Sequence, residues 1–258
     1  MEYWQDQGIV INVRAHGENG AIVSILTQEH GRAAGYVRGA RSSKMRGTLE
    51  QGSVVDVEWK SRTADGLGAF NLELQKSYAA LHLDHALKLA ALQAACSLCH
   101  EALPEHEAHS GIYFGMLALF DQLDTDVWGA AYILWEIALL KELGFSLDLT
   151  RCAGGGSDQA LAYVSPKTGK AVSYQAGEPY KDKLLKLPEF LRPQGGEIDY
   201  EEIHKGLEMC GYFLERWVFA HHSRGIPPSR LLFGERFAKT LKIDKNALVK
   251  EEGHYAAG

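Results

Sequence analysis

Short apolar runs separated by turn residues dominate the first 78 residues, and this pattern predicts β-strands. Strands are predicted at residues 8–13, 21–26, 33–37, 54–59 and 69–74. The last two runs alternate apolar and polar positions, as half-buried strands do. Gly17-Glu18-Asn19-Gly20 supplies residues that tolerate positive φ, so a hairpin turn is predicted after the first strand. Five short strands in so short a segment predict a small barrel, with an OB-type barrel as the leading candidate.

From residue 81 onward the pattern changes to that of helices. Helices are predicted at residues 81–103, 110–123 and 126–144, from about 198 to 217, and from 227 to about 239. The helix at 126–144 is apolar on nearly all sides, so we expect it at the centre of a helical domain. Pro104 marks the end of the first helix, because proline cannot continue the hydrogen-bond ladder.

Residues 151–193 interrupt the helical pattern. Within them, short runs at 160–164 and 170–174 flank a turn sequence at 165–169, which predicts a β-hairpin. The predicted fold is therefore α+β and multidomain: an N-terminal OB-type β-barrel followed by an α-helical domain with a small β-hairpin insert. The predicted limits are 1–78 for the barrel domain, 79–240 for the helical domain with its insert at 151–193, and 241–258 for a loose C-terminal tail.

The composition is that of a soluble globular protein, with 46% apolar and 23% charged residues in a chain of 258. No apolar run is long enough to span a bilayer, and residues 1–6 lack the basic and apolar regions of a signal peptide. Four cysteines in a chain of this length do not form a disulfide scaffold. We therefore expect a cytoplasmic protein.

The net charge of −6 lies entirely after residue 78, because residues 1–78 contain nine basic and nine acidic residues. Residues 30–46, by contrast, contain five Lys or Arg and no Asp or Glu. Such cations neutralise phosphates, and Ser42 and Ser43 can donate hydrogen bonds to phosphate oxygens. Tyr36 offers a face on which a base can stack. The segment therefore predicts a nucleic-acid-binding surface.

The candidate DNA-binding residues are the cations of this segment and those of neighbouring strands. They are Arg14, Arg32, Arg38, Arg41, Lys44, Arg46, Lys60 and Arg62. We expect them on one face of the barrel and on the loop after its third strand. The alternative is a solvated loop whose cations pair with acids elsewhere in the chain.

Two further motifs involve cysteine. Cys96-Ser-Leu-Cys99-His100 has the spacing of a haem attachment motif, but that attachment accompanies export. The same thiols with His106 and His109 have the donor types of a zinc site, although Pro104 separates the two pairs. The favoured interpretation is two core thiols and two surface histidines. We expect neither a metal nor another cofactor.

Catalytic signatures are missing from the sequence. It contains no G-x-S-x-G, no H-E-x-x-H and no phosphate-binding G-x-x-x-x-G-K-[ST] motif. Gly154-Gly155-Gly156 does not lie between a strand and a helix, as a dinucleotide site requires. We therefore predict no catalytic residue and a protein that is not an enzyme.

Several segments resemble one known family. Asp6-Gln-Gly-Ile-Val-Ile11, Leu26-Thr-Gln-Glu-His-Gly-Arg32 and Val37-Arg-Gly-Ala-Arg41 look like the N-terminal domain of RecO, the bacterial DNA-repair and recombination mediator family. Leu140 to Cys152 resembles the segment where the helical domain of that family leads into its insert. Tyr163 to Gly169 fits the insert itself. The resemblance covers nearly the whole chain in order.

The resemblance implies binding of single- and double-stranded DNA and annealing of complementary strands. It implies cooperation with RecR and with the acidic C-terminal tail of single-strand binding protein, so that RecA can replace that protein on DNA. It also implies a nucleoid-associated location. The alternative function is a non-catalytic interaction scaffold whose barrel binds protein and whose basic loop is only solvated.

The sequence departs from the family pattern in the insert. Zinc-binding members have two C-x-x-C pairs there, whereas this chain has Cys152 at the first position and Gly155 at the second. No further cysteine occurs until Cys210. Because one thiol cannot hold a structural zinc ion, we predict an insert without metal.

Overall fold

The computed structural model describes residues 2–63 and 66–255, with side chains described as far as residue 241. Its N-terminal strands are β1 (Glu2–His16), β2 (Gly20–Thr27), β3 (Arg32–Arg38), β4 (Ser53–Ser61) and β5 (Gly68–Ser77). They form a closed barrel in the order β1-β2-β3-β5-β4. All pairs are antiparallel except β3 and β5, which meet over a short parallel contact. This arrangement confirms the predicted OB-type fold.

The barrel interior is filled by alternate residues of each strand, as the period of two requires. Buried interior side chains come from every strand and include Val10, Val23, Val37, Val57, Trp59 and Phe70. In β1 the alternation changes phase at a β-bulge, because Val10 pairs with Ile25 whereas Asn12 pairs with Ser24. Ile11 is the extra residue, and its carbonyl accepts a 2.8 Å hydrogen bond from the Gln51 side chain.

The segment after β3 is not only a loop, as the sequence predicted, but contains a short helix. Helix α1 spans Ser43–Thr48 and includes Lys44 and Arg46. Met45 and Leu49 pack against the barrel core. A six-residue helix is not stable by itself, so burial of these two side chains stabilises it.

Three helices follow the barrel. They are α2 (Tyr78–Leu81), α3 (Ala86–Ala102) and α4 (Ser110–Gln122). The prediction of a single helix at 81–103 is therefore wrong at its start, because two consecutive turns separate α2 from α3. In the first turn the N–H of His82 donates to the Ala79 carbonyl, and in the second the N–H of His85 donates to the His82 carbonyl. The middle of α3 is buried, including Cys96 and Cys99. Residues 1–126 and 226–230 form one compact unit, and the predicted boundary after residue 78 lies inside it.

The second compact unit contains residues 127–225 and 231–258. Its helices include α5 (Trp128–Glu142), α7 (Tyr200–Phe213) and the greater part of α8 (Pro228–Tyr255). Two glycines allow α5 and α7 to pack closely, because a Cβ at Gly129 would lie 2.7 Å from Ile203 and one at Gly206 would lie 2.9 Å from Ile133. As predicted, α5 is buried on most sides.

The insert belongs to this second unit. Strands β6 (Leu161–Val164), β7 (Ala171–Ser173) and β8 (Leu185–Lys186) form a sheet in the order β7-β6-β8, and helix α6 (Tyr174–Gly177) follows β7. The predicted hairpin is present as β6 and β7, and β8 adds a third strand.

The last helix is longer than predicted, since α8 continues past Lys239. The tail predicted to be loose falls on residues whose side chains are outside the described set, and 256–258 lie wholly outside it. In the described part of the chain, no helix combines the length and the apolar character that crossing a bilayer requires.

Candidate nucleic-acid interface

A row of outward-facing residues crosses the barrel strands. The strand registers pair Arg14 with Ile22, Ile22 with Tyr36, Tyr36 with Ala69, Ala69 with Lys60, and Lys60 with Tyr3. We call these six residues the outer row. Because directly opposed residues lie about 5 Å apart on one face of a sheet, the row brings two cations and two tyrosines onto the same surface.

A groove lies beside Tyr36, where β3 and β5 meet. Its volume is about 450 Å³, and the described residues that line it are Tyr36 together with 60–63 and 66–69. Leu67 is 56% exposed at its edge. Lys60 and Arg62 are exposed lining residues, so the groove has apolar walls and a cationic rim.

Seven of the eight predicted DNA-binding residues are exposed: Arg14, Arg38, Arg41, Lys44, Arg46, Lys60 and Arg62. Among the described ion pairs, none involves these seven side chains, which we call the free cations. The Lys60 Nζ atom lies 5.1 Å from the ring centroid of Tyr3. Exposed cations without acidic partners remain available for phosphates.

Arg32 differs from the other seven predicted residues. Its Nε donates to the Leu103 carbonyl at 2.7 Å, and its Nη1 lies 2.9 Å from the Glu105 carboxylate. The Arg32 carbonyl in turn accepts a 2.9 Å hydrogen bond from the N–H of His106. The side chain is only 15% exposed. Arg32 therefore joins the barrel to the segment between α3 and α4, and we do not count it among the free cations.

Three of the free cations come after β3, and the short connection that leads to them is hydrogen-bonded to the barrel at its first residues. The N–H of Ala40 donates to the carbonyl of Asn19 at 2.9 Å, so the end of β3 lies beside the β1–β2 turn. Gly39 has a φ of 69° and adopts the left-handed conformation that this bend requires. Arg41 follows directly, and Lys44 and Arg46 lie on α1.

A second groove on the barrel, which was not predicted from the sequence, has the opposite charge. It has a volume of about 490 Å³ and is lined by residues that include Asp6, Asp56, Glu58 and Glu73. Hydrogen bonds from Asn71 and Gln5 lower the pKa of Glu58. The only sequence signal was the acidic residues at the polar positions of the alternating strands. These carboxylates disfavour a phosphate backbone on this part of the barrel.

Asp6 organises the turn between β2 and β3. Its carboxylate accepts hydrogen bonds from the N–H of Glu29 at 2.9 Å and lies 2.9 Å from the Nδ1 atom of His30. The His30 ring stacks on Trp4 with a centroid distance of 4.3 Å. Burial raises the pKa of Asp6, but the hydrogen bonds from His30, Glu29 and Gln7 outweigh it, so the pKa is lowered.

Cys96 and Cys99 are buried, as expected of core thiols, but of the two histidines expected on the surface His106 is exposed and His109 is buried. The Cys99 thiol lies 3.3 Å from the Met116 sulfur, and burial raises the pKa of both Cys96 and Cys99. In the insert, the Cys152 sulfur accepts hydrogen bonds from the N–H groups of Gly156 and Ser173, at 3.3 and 3.2 Å. The described residues contain no group of three or more His, Cys, Asp or Glu side chains placed to hold a metal ion.

The closed five-stranded barrel and its strand order place the chain in the class of OB-type barrel proteins. The family model for the N terminal of recombination protein O matches residues 1–78, and the model for its C terminal matches residues 84–224. The chain therefore belongs to the RecO family of DNA repair proteins, which confirms the resemblance found in the sequence.

Curated relatives agree with this assignment. The DNA repair protein RecO of Rhodospirillum centenum is 47% identical, over 92% of this chain and 95% of that protein. Its counterpart in Rhodospirillum rubrum is 44% identical, over 95% of this chain and 100% of that protein. The Caulobacter vibrioides protein of the same name is 42% identical, over 93% of this chain and 99% of that protein.

Proposed function

We propose that this RecO-family chain is a non-catalytic recombination mediator that binds single- and double-stranded DNA through the free cations. It promotes annealing of complementary strands and helps load RecA onto DNA coated with single-strand binding protein. The observation that carries the proposal is the exposure of seven cations without ion-pair partners among the described residues. The family membership supports the role in DNA repair.

The mechanism rests on phosphate contacts. Each cation that binds a phosphate releases condensed counterions, so binding weakens steeply as salt rises. Such contacts position a strand without reading its sequence. A cationic surface that holds two strands also lowers their mutual repulsion, which favours annealing. The acid-lined groove repels phosphates, so the bound strand follows the outer row instead.

The protein partners in this proposal are RecR and the tail of single-strand binding protein. A tail with acidic residues and an apolar end requires an apolar groove with nearby cations. The second unit has a groove of about 500 Å³ beside α7, lined by Leu185, Met209 and Tyr212 and by Lys186 and Lys205. Glu208 and Glu215 also line it, and Lys205 is ion-paired with Glu201 and Glu202, so Lys186 is the lining cation that takes part in none of the described ion pairs.

Fluorescence anisotropy with labelled single-stranded DNA, at low and physiological salt, tests the DNA-binding proposal. We expect tight binding at low salt, and a variant carrying Arg38→Ala and Arg41→Ala should have a salt slope about two units smaller. The matched control is Lys167→Ala with Lys183→Ala, which removes the same charge from exposed positions of the second unit.

An unchanged affinity and slope in the Arg38 and Arg41 double variant would contradict the proposal. If the wild-type protein binds no DNA even at low salt but still binds RecR, the interaction scaffold becomes the better description. A strand-annealing assay under the same salt conditions then separates binding from annealing for variants that retain affinity.

A further inference from the structure

The groove beside Tyr36 has features that phosphate binding alone does not use. Tyr36 is half-buried, and its ring is the aromatic surface among the described lining residues. We propose that this groove takes one unpaired base, which stacks on Tyr36 while Lys60 and Arg62 contact the flanking phosphates. This inference rests on the proposed DNA binding and adds a reason for the protein to distinguish single from double strands.

The position of the Tyr36 ring is fixed by its neighbours. The ring of His16 lies edge-on to it, with centroids 6.1 Å apart and an interplanar angle of 81°. A Cβ at position 20 would overlap the Tyr36 ring, so Gly20 provides the space in which the ring lies. A ring held in this way loses little freedom when a base stacks on it.

The rest of the groove complements a nucleotide. Leu67 and Ala69 provide apolar walls, and Ser61 and Thr63 provide hydroxyl groups that can bond to base edges or phosphate oxygens. Its volume of about 450 Å³ lies within the range of small-ligand sites.

The occupant must be an unpaired base. In a duplex both faces of each base are covered by its stacked neighbours, so a Tyr ring cannot reach them unless the base is extruded, and extrusion costs energy. A single strand offers its base faces freely, and every base has such a face. The groove therefore adds affinity for single strands of any sequence and adds none for duplexes.

The test compares the full chain with its Tyr36→Ala and Tyr36→Phe variants. The probes are an oligothymidine, a strand of equal length made of abasic sites, and a duplex of equal length. We expect the wild type to bind oligothymidine about tenfold more tightly than the abasic strand. Tyr36→Ala should lose this difference while its duplex affinity and salt slope stay unchanged, and Tyr36→Phe should retain it.

Two controls make the result specific. Tyr180→Ala removes a 61% exposed tyrosine from the second unit and should leave all three affinities unchanged. A photocrosslinking measurement on the wild type does not depend on the folding of any variant: single-stranded DNA containing iodouracil should crosslink to Tyr36, as located by mass spectrometry.

The inference is overturned if Tyr36→Ala still prefers oligothymidine, if it loses duplex and single-strand affinity equally, or if the crosslink forms elsewhere. In each of these cases steep salt dependence in the wild type leaves the proposed DNA binding intact. If the wild type binds none of the probes at low salt, the proposed function and this inference both fail.

Discussion

Strand β3 has an arginine at each end, and the two side chains have opposite surroundings. At its start, Arg32 is half-buried and bonded to the Leu103 carbonyl and the Glu105 carboxylate. At its end, Arg38 is exposed and takes part in none of the described ion pairs. The same residue type thus serves the fold at one end of the strand and is available for a ligand at the other.

The glycines next to these arginines repeat the contrast. Gly31 and Gly39 both have positive φ, 68° and 69°. A Cβ at Gly31 would overlap the Glu107 backbone, whereas one at Gly39 would meet nothing within 4 Å. Charge and residue type therefore identify candidates for binding, and packing decides which of them are free to bind.

The largest effect is expected from Gly31→Ala. Positive φ costs a residue with Cβ about 1–2 kcal/mol, and the overlap with Glu107 adds about 1–3 kcal/mol, so unfolding by urea should show a loss of about 2–5 kcal/mol. Gly39→Ala has only the first cost and should lose about 1 kcal/mol. Equal losses in the two variants would mean that the segment after α3 does not constrain this end of the barrel.

Removing Arg32 should affect mainly stability, whereas removing Arg38 should affect mainly DNA binding. Arg32→Ala should lower the free energy of unfolding by about 1–2 kcal/mol, because it removes hydrogen bonds from a charged, half-buried donor. Arg38→Ala should change stability by less than about 0.5 kcal/mol but reduce the DNA salt slope by about one unit.

Lysine substitutions at Arg32 and Arg38 separate the effect of the charge from that of the hydrogen-bond donors. Arg38→Lys keeps the charge and should keep the salt slope, whereas Arg32→Lys cannot reproduce the two donors and should remain destabilised. A reduced salt slope in Arg32→Lys, with normal stability, would place Arg32 in the DNA interface instead.

The smallest effect is expected on the pH dependence of stability, to which Asp6 contributes. Because the pKa of Asp6 is lowered in the folded chain, its stabilising effect is present above the ordinary value of 3.8 and is lost as the pH falls through the folded value. Wild-type stability should therefore fall more steeply below about pH 4 than that of Asp6→Asn, in urea unfolding series at several pH values. Parallel pH curves would show that His30 and the backbone N–H groups bind both proton states of the carboxyl equally.

The strands were predictable because alternation along a half-buried strand is a local property. Helix α1 was not, because its six residues are helical only where Met45 and Leu49 can pack against the barrel. Strand β8 has two residues and gives no pattern by itself; it exists because it pairs with Tyr163 and Val164 of β6.

The site was predictable in its residue types and not in its geometry. The free cations and Tyr36 all stand out in the sequence, but the outer row depends on the registers of five strands. No local pattern distinguishes Arg32 from Arg38, since the partners of Arg32 lie about 70 positions away, at Leu103 and Glu105.

The β-bulge at Ile11 limits how the length of β1 can change in evolution. Trp4 and Val10 lie against the barrel core before the bulge and Val13 after it, so Arg14 remains outside. Deleting one residue between Val10 and Arg14 would only remove the bulge, because Val13 would still face inward and Arg14 outward. Deleting one residue between Trp4 and Val10, where no residue is extra, would exchange the two sides of the first half of the strand, exposing Trp4 and turning Tyr3 inward. Side chains in this strand can be replaced one at a time, but a deletion between Trp4 and Val10 would disrupt both the core and the outer row in a single heritable step, whereas the bulge can lose its extra residue without that effect.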